Sequence, residues 1–152
     1  MRAHNTQYEL SPVMKPRNLI ISIKPQYALQ IVEGVKTIEL RRKFPTENIR
    51  GGIAIIYASS PICKIVGYAR IEDVSNLSIA KIWQQFGKAA CVTKTFFNNY
   101  FSGVESGFAI ALSQPVKLKI PLDIKDLEKE EVFSPPQSYR YASERLLQAV
   151  EI

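Results

Sequence analysis

Short apolar runs, rich in β-branched residues and each of strand length, recur along this sequence and limit the folds it can adopt. They occupy residues 19–23, 35–41, 53–58, 64–74, 107–113 and 116–120. Helical patterns interrupt them at 25–33, 79–86, from residue 93 and from residue 143. Five or six short strands with inserted and flanking helices predict an α+β domain, in which a small, mostly antiparallel sheet closes into a barrel. A doubly wound parallel sheet would need helices alternating regularly with buried strands.

Glycine, proline and hydroxyl residues mark the ends of these elements. Pro25 suits the first turn of a helix and Gly34 its end. Ser78 is expected to cap the next helix, and Gly67 to form a β-bulge in the strand before it. Four aromatic residues then recur at helical spacing and are predicted to lie in the core rather than on a stacking surface: Phe96, Phe97, Tyr100 and Phe101.

The composition suits a single domain of ordinary size. The first 17 residues show no apolar period and contain two prolines, so we expect a flexible arm at 1–17 and one domain at 18–152. Cys63, Cys91 and the single histidine, His4, are far apart in the sequence, so neither a metal nor another cofactor is predicted. Without an apolar run of about 18 residues or a signal peptide, we expect a cytoplasmic protein with no membrane partner.

Charge is unevenly distributed along the chain. The formal net charge is +6, with basic residues concentrated at 36–50 and acidic residues at 123–131. One positive side would attract polyanions, although charge can also serve solubility alone.

The segment VKTIELR, residues 35–41, places several charged side chains on one face of a predicted strand. A period of two sorts Ile38 and Leu40 to one face and Thr37, Glu39 and Arg41 to the other. Lys36, at the corner before the strand, can turn its amine to the same side. The segment therefore predicts one wall of a cleft for a polar, anionic ligand, or alternatively a surface strand with cross-strand ion pairs.

The pattern GxKxxExR, here Gly34, Lys36, Glu39 and Arg41, resembles the ASCH domain family of the PUA-like superfamily. The resemblance extends through YASSP, IVGYARI, SGVESGFAI and PPQSYRY and covers residues 18–141. It implies a pseudo-barrel whose cleft holds RNA or a modified base, often in a regulatory role. One branch of the family removes the acetyl group from N4-acetylcytidine, and ribonuclease activity has been linked to others. The amidohydrolase branch has a threonine three residues after the lysine, where this chain has Glu39.

The first interpretation is therefore a protein that binds single-stranded or locally melted RNA, or a modified nucleoside. Glu39 could accept from an exocyclic amine, and Lys36 or Arg41 could meet a phosphate. A strand end and a loop behind two prolines offer further groups, with one tyrosine placed to stack on a base. The candidate binding residues are Lys36, Glu39, Arg41, Arg42, Tyr57, Ser59, Ser138, Tyr139 and Arg140.

Three other functions remain open. An amidohydrolase would require Lys36, with Thr37 as nucleophile or Glu39 as activating group, and these three are the candidate catalytic residues. A metal-independent ribonuclease would use Lys36 with Ser138 or Tyr139. A protein-interaction domain would keep only the fold.

Overall fold

The computed structural model describes residues 15–123 and 138–152, and within these ranges the chain forms six strands and four helices. The strands are β1 (Leu19–Ile23), β2 (Ile38–Arg41), β3 (Ile53–Ala58), β4 (Lys64–Ser78), β5 (Ser106–Asp123) and β6 (Tyr139–Tyr141). The helices are α1 (Pro25–Val32), α2 (Ile79–Phe86), α3 (Lys94–Tyr100) and α4 (Glu144–Ala149). Part of the predicted arm (1–14), the acidic segment from residue 124 to 131 and the prolines at 135 and 136 lie outside the described residues.

All six strands form one sheet in the order β2-β5-β4-β3-β1-β6. Only the β1–β3 pair is parallel among these neighbours, and the other four pairs are antiparallel. The sheet curls into a half-barrel with the helices around it, which confirms the predicted α+β fold. No helix in the described ranges is long and apolar enough to cross a membrane.

Three apolar clusters hold this sheet. Inside the curl, Leu19 and Ile21 of β1 pack with Ala28 and Ile31 of α1. The intervening Ile20 faces the other way and packs with α4. The third cluster joins β2 and β5 to α2 and α3. The period-two pattern of the strands thus supplies both faces of the sheet with buried side chains.

Several local predictions are confirmed. Pro25 opens α1, and Gly34 follows its end with φ +82°. Ser78 is the N-cap of α2, as predicted, and the structure adds Thr93 and Ser143 as the N-caps of α3 and α4. The strand register shifts at Gly67, where an added Cβ would overlap the carbonyl oxygen of Val116.

Two local predictions were wrong. The two strands expected at 107–113 and 116–120 form the single strand β5, because β4 pairs along its whole length and a register shift absorbs Gln114 and Pro115. The segment from Ser138 was expected to be a loop, but 139–141 forms β6 on the free edge of β1. The segment therefore forms a strand because it can pair with β1, although its own sequence favours a strand only weakly.

The last residues of the predicted arm contact the domain. The Arg17 backbone N–H donates to the carbonyl of Asn48 (2.7 Å), and its guanidinium lies 3.4 Å from the centre of the Tyr141 ring. The division of the chain at residue 17 stays a prediction.

Candidate functional site

A pocket of about 270 Å³ opens where the two ends of the curled sheet approach each other. Its floor comes from Lys36 and strand β2, and one side from the end of β1 and the start of α1. Helix α3 forms the opposite wall. The lining side chains fall into a charged floor, an aromatic wall and a polar rim: Lys36, Glu39 and Arg41; Tyr27, Phe96 and Tyr100; Ser22, Lys24 and Ser59.

Lys36 is buried at the floor of this pocket, with 2% of its surface exposed. Its Nζ donates to the carbonyl of Ala90 (2.5 Å) and lies 3.7 Å from Glu39 Oε1. It also lies 5.2 Å from the centre of the Tyr27 ring. Burial lowers the pKa of the Lys36 amine, against the opposing effect of the Glu39 carboxylate. This amine can therefore lose its proton more readily than that of an exposed lysine.

Glu39 stands between two cations. Arg41 Nε donates to Glu39 Oε2 at 3.0 Å, on the side away from Lys36. Because β2 alternates, Ile38 and Leu40 join the cluster under α3 while Glu39 and Arg41 take the other face. This is the sorting that the sequence predicts. The floor thus presents a hydrogen-bond donor, Lys36, beside an acceptor, Glu39.

The other two nitrogens of the Arg41 guanidinium also donate inside the protein. Nη2 donates to the backbone carbonyl of Ser22 (2.8 Å), and Nη1 donates to Ser138 Oγ (3.1 Å). Ser22 belongs to β1 and Ser138 precedes β6, so Arg41 joins β2 to the opposite end of the sheet.

The aromatic wall was not expected from the sequence. Phe96 and Tyr100 lie with their rings nearly parallel (7°) and 6.0 Å apart, and Tyr27 meets Phe96 at 5.7 Å. Of the four aromatic residues predicted to be core, only Phe97 and Phe101 are buried there. The i, i+1, i+4, i+5 spacing places two pairs on adjacent faces of the helix, which could have indicated a divided role. Burial raises the pKa of the Tyr100 hydroxyl, so it stays protonated.

The ASCH domain family model matches residues 21–137. The chain belongs to the ASCH domain family. A protein named ASCH domain-containing ribonuclease, from Zymomonas mobilis, is 31% identical over 125 residues, which cover 80% of this chain and 82% of that protein. The crystal structure of ASCH from Zymomonas mobilis superposes with a TM-score of 0.83 at 27% identity, covering 88% of this chain and 93% of that one.

The likeness extends to further solved structures. Variants of the Zymomonas mobilis protein, one with a tyrosine changed to phenylalanine and one with a serine changed to alanine, each give a TM-score of 0.82. The N-terminal domain of Staphylothermus marinus McrB matches with a TM-score of 0.58 at 12% identity, covering 92% of this chain and 98% of that one. That last match indicates a shared fold alone.

Thr37 of this ASCH domain lies outside the pocket. It lines a neighbouring cavity of about 250 Å³ on the other side of Lys36. Its backbone N–H donates to the carbonyl of Ala89 (3.2 Å), and its own carbonyl accepts from Leu112 N–H (2.9 Å). The structure therefore does not bring Thr37 and the Glu39 carboxylate into one cavity.

Arg42 lies on the outer surface beside α3. Its Nη1 donates to the backbone carbonyls of Tyr100 (2.9 Å) and Ser102 (2.8 Å). A guanidinium at the end of a helix satisfies carbonyls that have no partner within the helix. Arg42 thus supports the wall of the pocket without lining it.

Two of the predicted binding residues face the opposite side of the sheet. Tyr57 is buried in the cluster under α4, and burial together with a hydrogen bond to Cys63 raises its pKa to about 12. Arg140 pairs with Ile20, whose side chain also faces α4. Tyr139 lies on the inner face but packs its ring on Phe44 at 5.3 Å.

The pocket thus unites only part of the predicted set. Four predicted binding residues line it, namely Lys36, Glu39, Arg41 and Ser59, and a fifth, Ser138, contacts Arg41. The structure adds residues that sequence reasoning missed, namely Ser22, Lys24, Tyr27, Phe96 and Tyr100. No local pattern marks Ser22 or Lys24, because only the curl of the sheet brings them to β2.

Proposed function

We propose that this ASCH domain binds RNA by taking one unpaired base into the pocket between β1, β2 and α3. The observation that carries the proposal is the aromatic wall of Phe96 and Tyr100, which faces the buried donor and acceptor, Lys36 and Glu39. The net charge of +6 and the relative named a ribonuclease support RNA over an uncharged ligand.

The pocket's chemistry suits a nucleobase. Its volume of about 270 Å³ lies just below the range of roughly 300–1,000 Å³ for drug-sized ligands, so it suits a single ring system. An aromatic ring would supply stacking, and the Lys36–Glu39 pair would meet an acceptor and a donor on the Watson–Crick edge. That edge is occupied in a duplex, so the base must be unpaired. Lys24 at the exposed rim would meet the adjoining phosphate.

A second candidate function is metal-independent RNA cleavage at the same pocket. The observation that favours it is the lowered pKa of Lys36, which lets a neutral amine act as a base. In this reaction Lys36 takes the proton of a ribose 2′-hydroxyl, and the 2′ oxygen attacks the adjacent phosphorus. The bond to the 5′ oxygen breaks, water returns a proton to that oxygen, and a 2′,3′-cyclic phosphate remains.

The amidohydrolase alternative gains no support from these contacts. Its candidate nucleophile, Thr37, lines the neighbouring cavity, whereas the Lys36 amine points to Ala90 and Glu39. No contact among the described residues bears on a regulatory role.

The test is fluorescence anisotropy with a short, unstructured, labelled RNA and with the same strand in a duplex. Phe96→Ala and Tyr100→Ala should each weaken binding of the single strand by about 5- to 150-fold, since stacking contributes about 1–3 kcal/mol per base. Tyr68→Ala is the matched control, because this half-buried tyrosine lies across the sheet beside α4. Equal losses in all three variants, or preference for the duplex, would contradict the proposal.

Cleavage is tested separately by separating the RNA products in the presence of a chelator. Lys36→Met should abolish the cyclic-phosphate product while changing RNA affinity by less than about tenfold. Product formation that survives this substitution would exclude Lys36 as the base and leave the binding proposal intact.

A further inference from the structure

The two ends of the half-barrel are joined across the pocket by one arginine. Among the described residues, strands β2 and β6 are the two edges of the sheet. Arg41 leaves β2 and reaches Ser22 in β1 and Ser138 before β6, residues 19 and 97 positions away in sequence. We call these contacts of Arg41 with Glu39, Ser22 and Ser138 the clasp.

The clasp engages all three nitrogens of the Arg41 guanidinium. Nε, Nη1 and Nη2 each donate to a protein oxygen at 2.8–3.1 Å, and only 11% of the Arg41 side chain is exposed. A planar guanidinium can serve three acceptors in one plane, whereas the compact ammonium of a lysine cannot reproduce that fork. Because three of its five N–H groups are already bonded inside the protein, Arg41 has fewer donors to offer a phosphate than an exposed arginine, and its shape matters as much as its charge.

Other contacts close the same region. The Ser22 N–H donates to the carbonyl of Ser138 (2.8 Å), which ties β1 to the start of β6. The Phe44 ring, three residues after Arg41, packs on the Tyr139 ring at 5.3 Å. The clasp thus adds hydrogen bonds to an apolar contact between the same two segments, and one of these bonds goes to Glu39.

We propose that Arg41 is a positioning residue that holds the half-barrel closed at the pocket and orients the Glu39 carboxylate beside Lys36, and that it does not bind the ligand itself. The role of Glu39 as a hydrogen-bond acceptor for a nucleobase rests on the proposed function. The closure of the sheet by Arg41 is independent of that function.

Closure is tested without RNA by amide hydrogen exchange on Arg41→Lys and Arg41→Met. Both should speed exchange at the Ser22 N–H and in β6 by about tenfold, since a lysine keeps the charge but loses the fork. Arg50→Lys is the matched control: Arg50 also donates to a carboxylate, Asp73, and to a backbone carbonyl, but on the exposed surface. If these exchange rates in Arg41→Lys equal those of the wild type, the proposal that Arg41 holds the half-barrel closed is wrong.

Ser138→Ala provides a milder variant that removes a single hydroxyl should the arginine variants fail to fold. It should speed exchange in β6, and its effect should not add to that of Arg41→Lys, because both remove the same bond. Full additivity, or no effect of Ser138→Ala, would contradict the clasp.

The second part is tested by the salt dependence of RNA affinity. A positioning role predicts that Arg41→Lys and Arg41→Met weaken binding alike, by about tenfold, with the slope of log K against log salt unchanged. A direct phosphate contact predicts instead that Arg41→Met lowers the slope by about 0.7 and that Arg41→Lys restores affinity. If the wild type binds no RNA, the proposed function fails while the exchange experiment still decides the closure.

Discussion

Lys36 is the residue whose position is least expected from its chemistry. An ammonium group loses much of its hydration when it is buried, and only paired or hydrogen-bonded charges tolerate this. Here the Ala90 carbonyl and the Glu39 carboxylate partly replace the water. Burial still outweighs them, since the pKa of Lys36 is lowered overall. Burying an ammonium group in a pocket is unfavourable, and lysines with shifted pKa values are common at sites where the side chain acts on a ligand.

The lowered pKa makes stability depend on pH in a defined direction. Between the folded pKa of Lys36 and its ordinary value of 10.5, the unfolded chain holds more protons than the folded one. The unfolding free energy of the wild type therefore rises with pH in that window, by up to about 1.4 kcal/mol per pH unit. Relative to Lys36→Met, the wild type should gain stability from about pH 7 to 9.5, measured by urea unfolding at each pH.

The control for that measurement is Lys81→Met, which removes a lysine on the exposed face of α2. The upper limit avoids the tyrosines, because the raised pKa of Tyr57 makes stability fall above pH 10 as the unfolded chain loses its phenolic protons first. A wild-type advantage that is flat or falls between the two pH values would refute the burial argument.

At the scale of elements, helix α3 holds the aromatic wall although it has only seven residues. So short a helix has little stability of its own and depends on its cap and its packing. Thr93 Oγ1 accepts from the Phe96 N–H (3.1 Å), and Phe97 packs into the core beneath. The cap therefore acts directly on a residue of the pocket.

Thr93→Ala should lower the unfolding free energy by about 1 kcal/mol and also weaken RNA binding several-fold, since the first turn of α3 carries Phe96. Ser143→Ala removes the corresponding cap of α4, where Ser143 Oγ accepts from Leu146 N–H (3.1 Å). Ser143→Ala should lower the unfolding free energy by a similar amount, about 1 kcal/mol, without changing RNA affinity. Urea unfolding and anisotropy measure the two effects; equal losses of affinity in both variants would contradict a specific role of α3.

The bulge at Gly67 is the second element-scale feature with a measurable consequence. A Cβ there would overlap the Val116 carbonyl and the Val32 side chain, so Gly67→Ala should destabilise the domain by at least about 2 kcal/mol in urea unfolding. Gly103→Ala is the control, because Gly103 has φ +86° but open space around it. It should cost only about 1 kcal/mol of backbone strain. Similar values for the two variants would contradict the close approach of β4 to β5.

At the scale of the whole molecule, local patterns predicted four of the six strands, the four helices, the cap of α2 and the two faces of β2; they divided β5 in two and missed β6. They could not predict what the curl of the sheet brings together. Lys36 meets Ala90 across 54 residues, and Arg41 meets Ser138 across 97. The division of the aromatic residues in α3 follows from the same curl, since it places one face of that helix over β2 and leaves Phe96 toward β1. Periodicity reports which residues share a face but not which faces meet.

We have proposed that one unpaired RNA base occupies the pocket between β1, β2 and α3. The most direct measurement is an NMR titration of isotopically labelled protein with a short, unstructured RNA. RNA should shift the ring signals of Tyr27, Phe96 and Tyr100 and the signal of the Lys36 amine, and all these shifts should be lost for Phe96→Ala. Shifts confined to the groove between α4 and Tyr68, or no shifts at all, would contradict it.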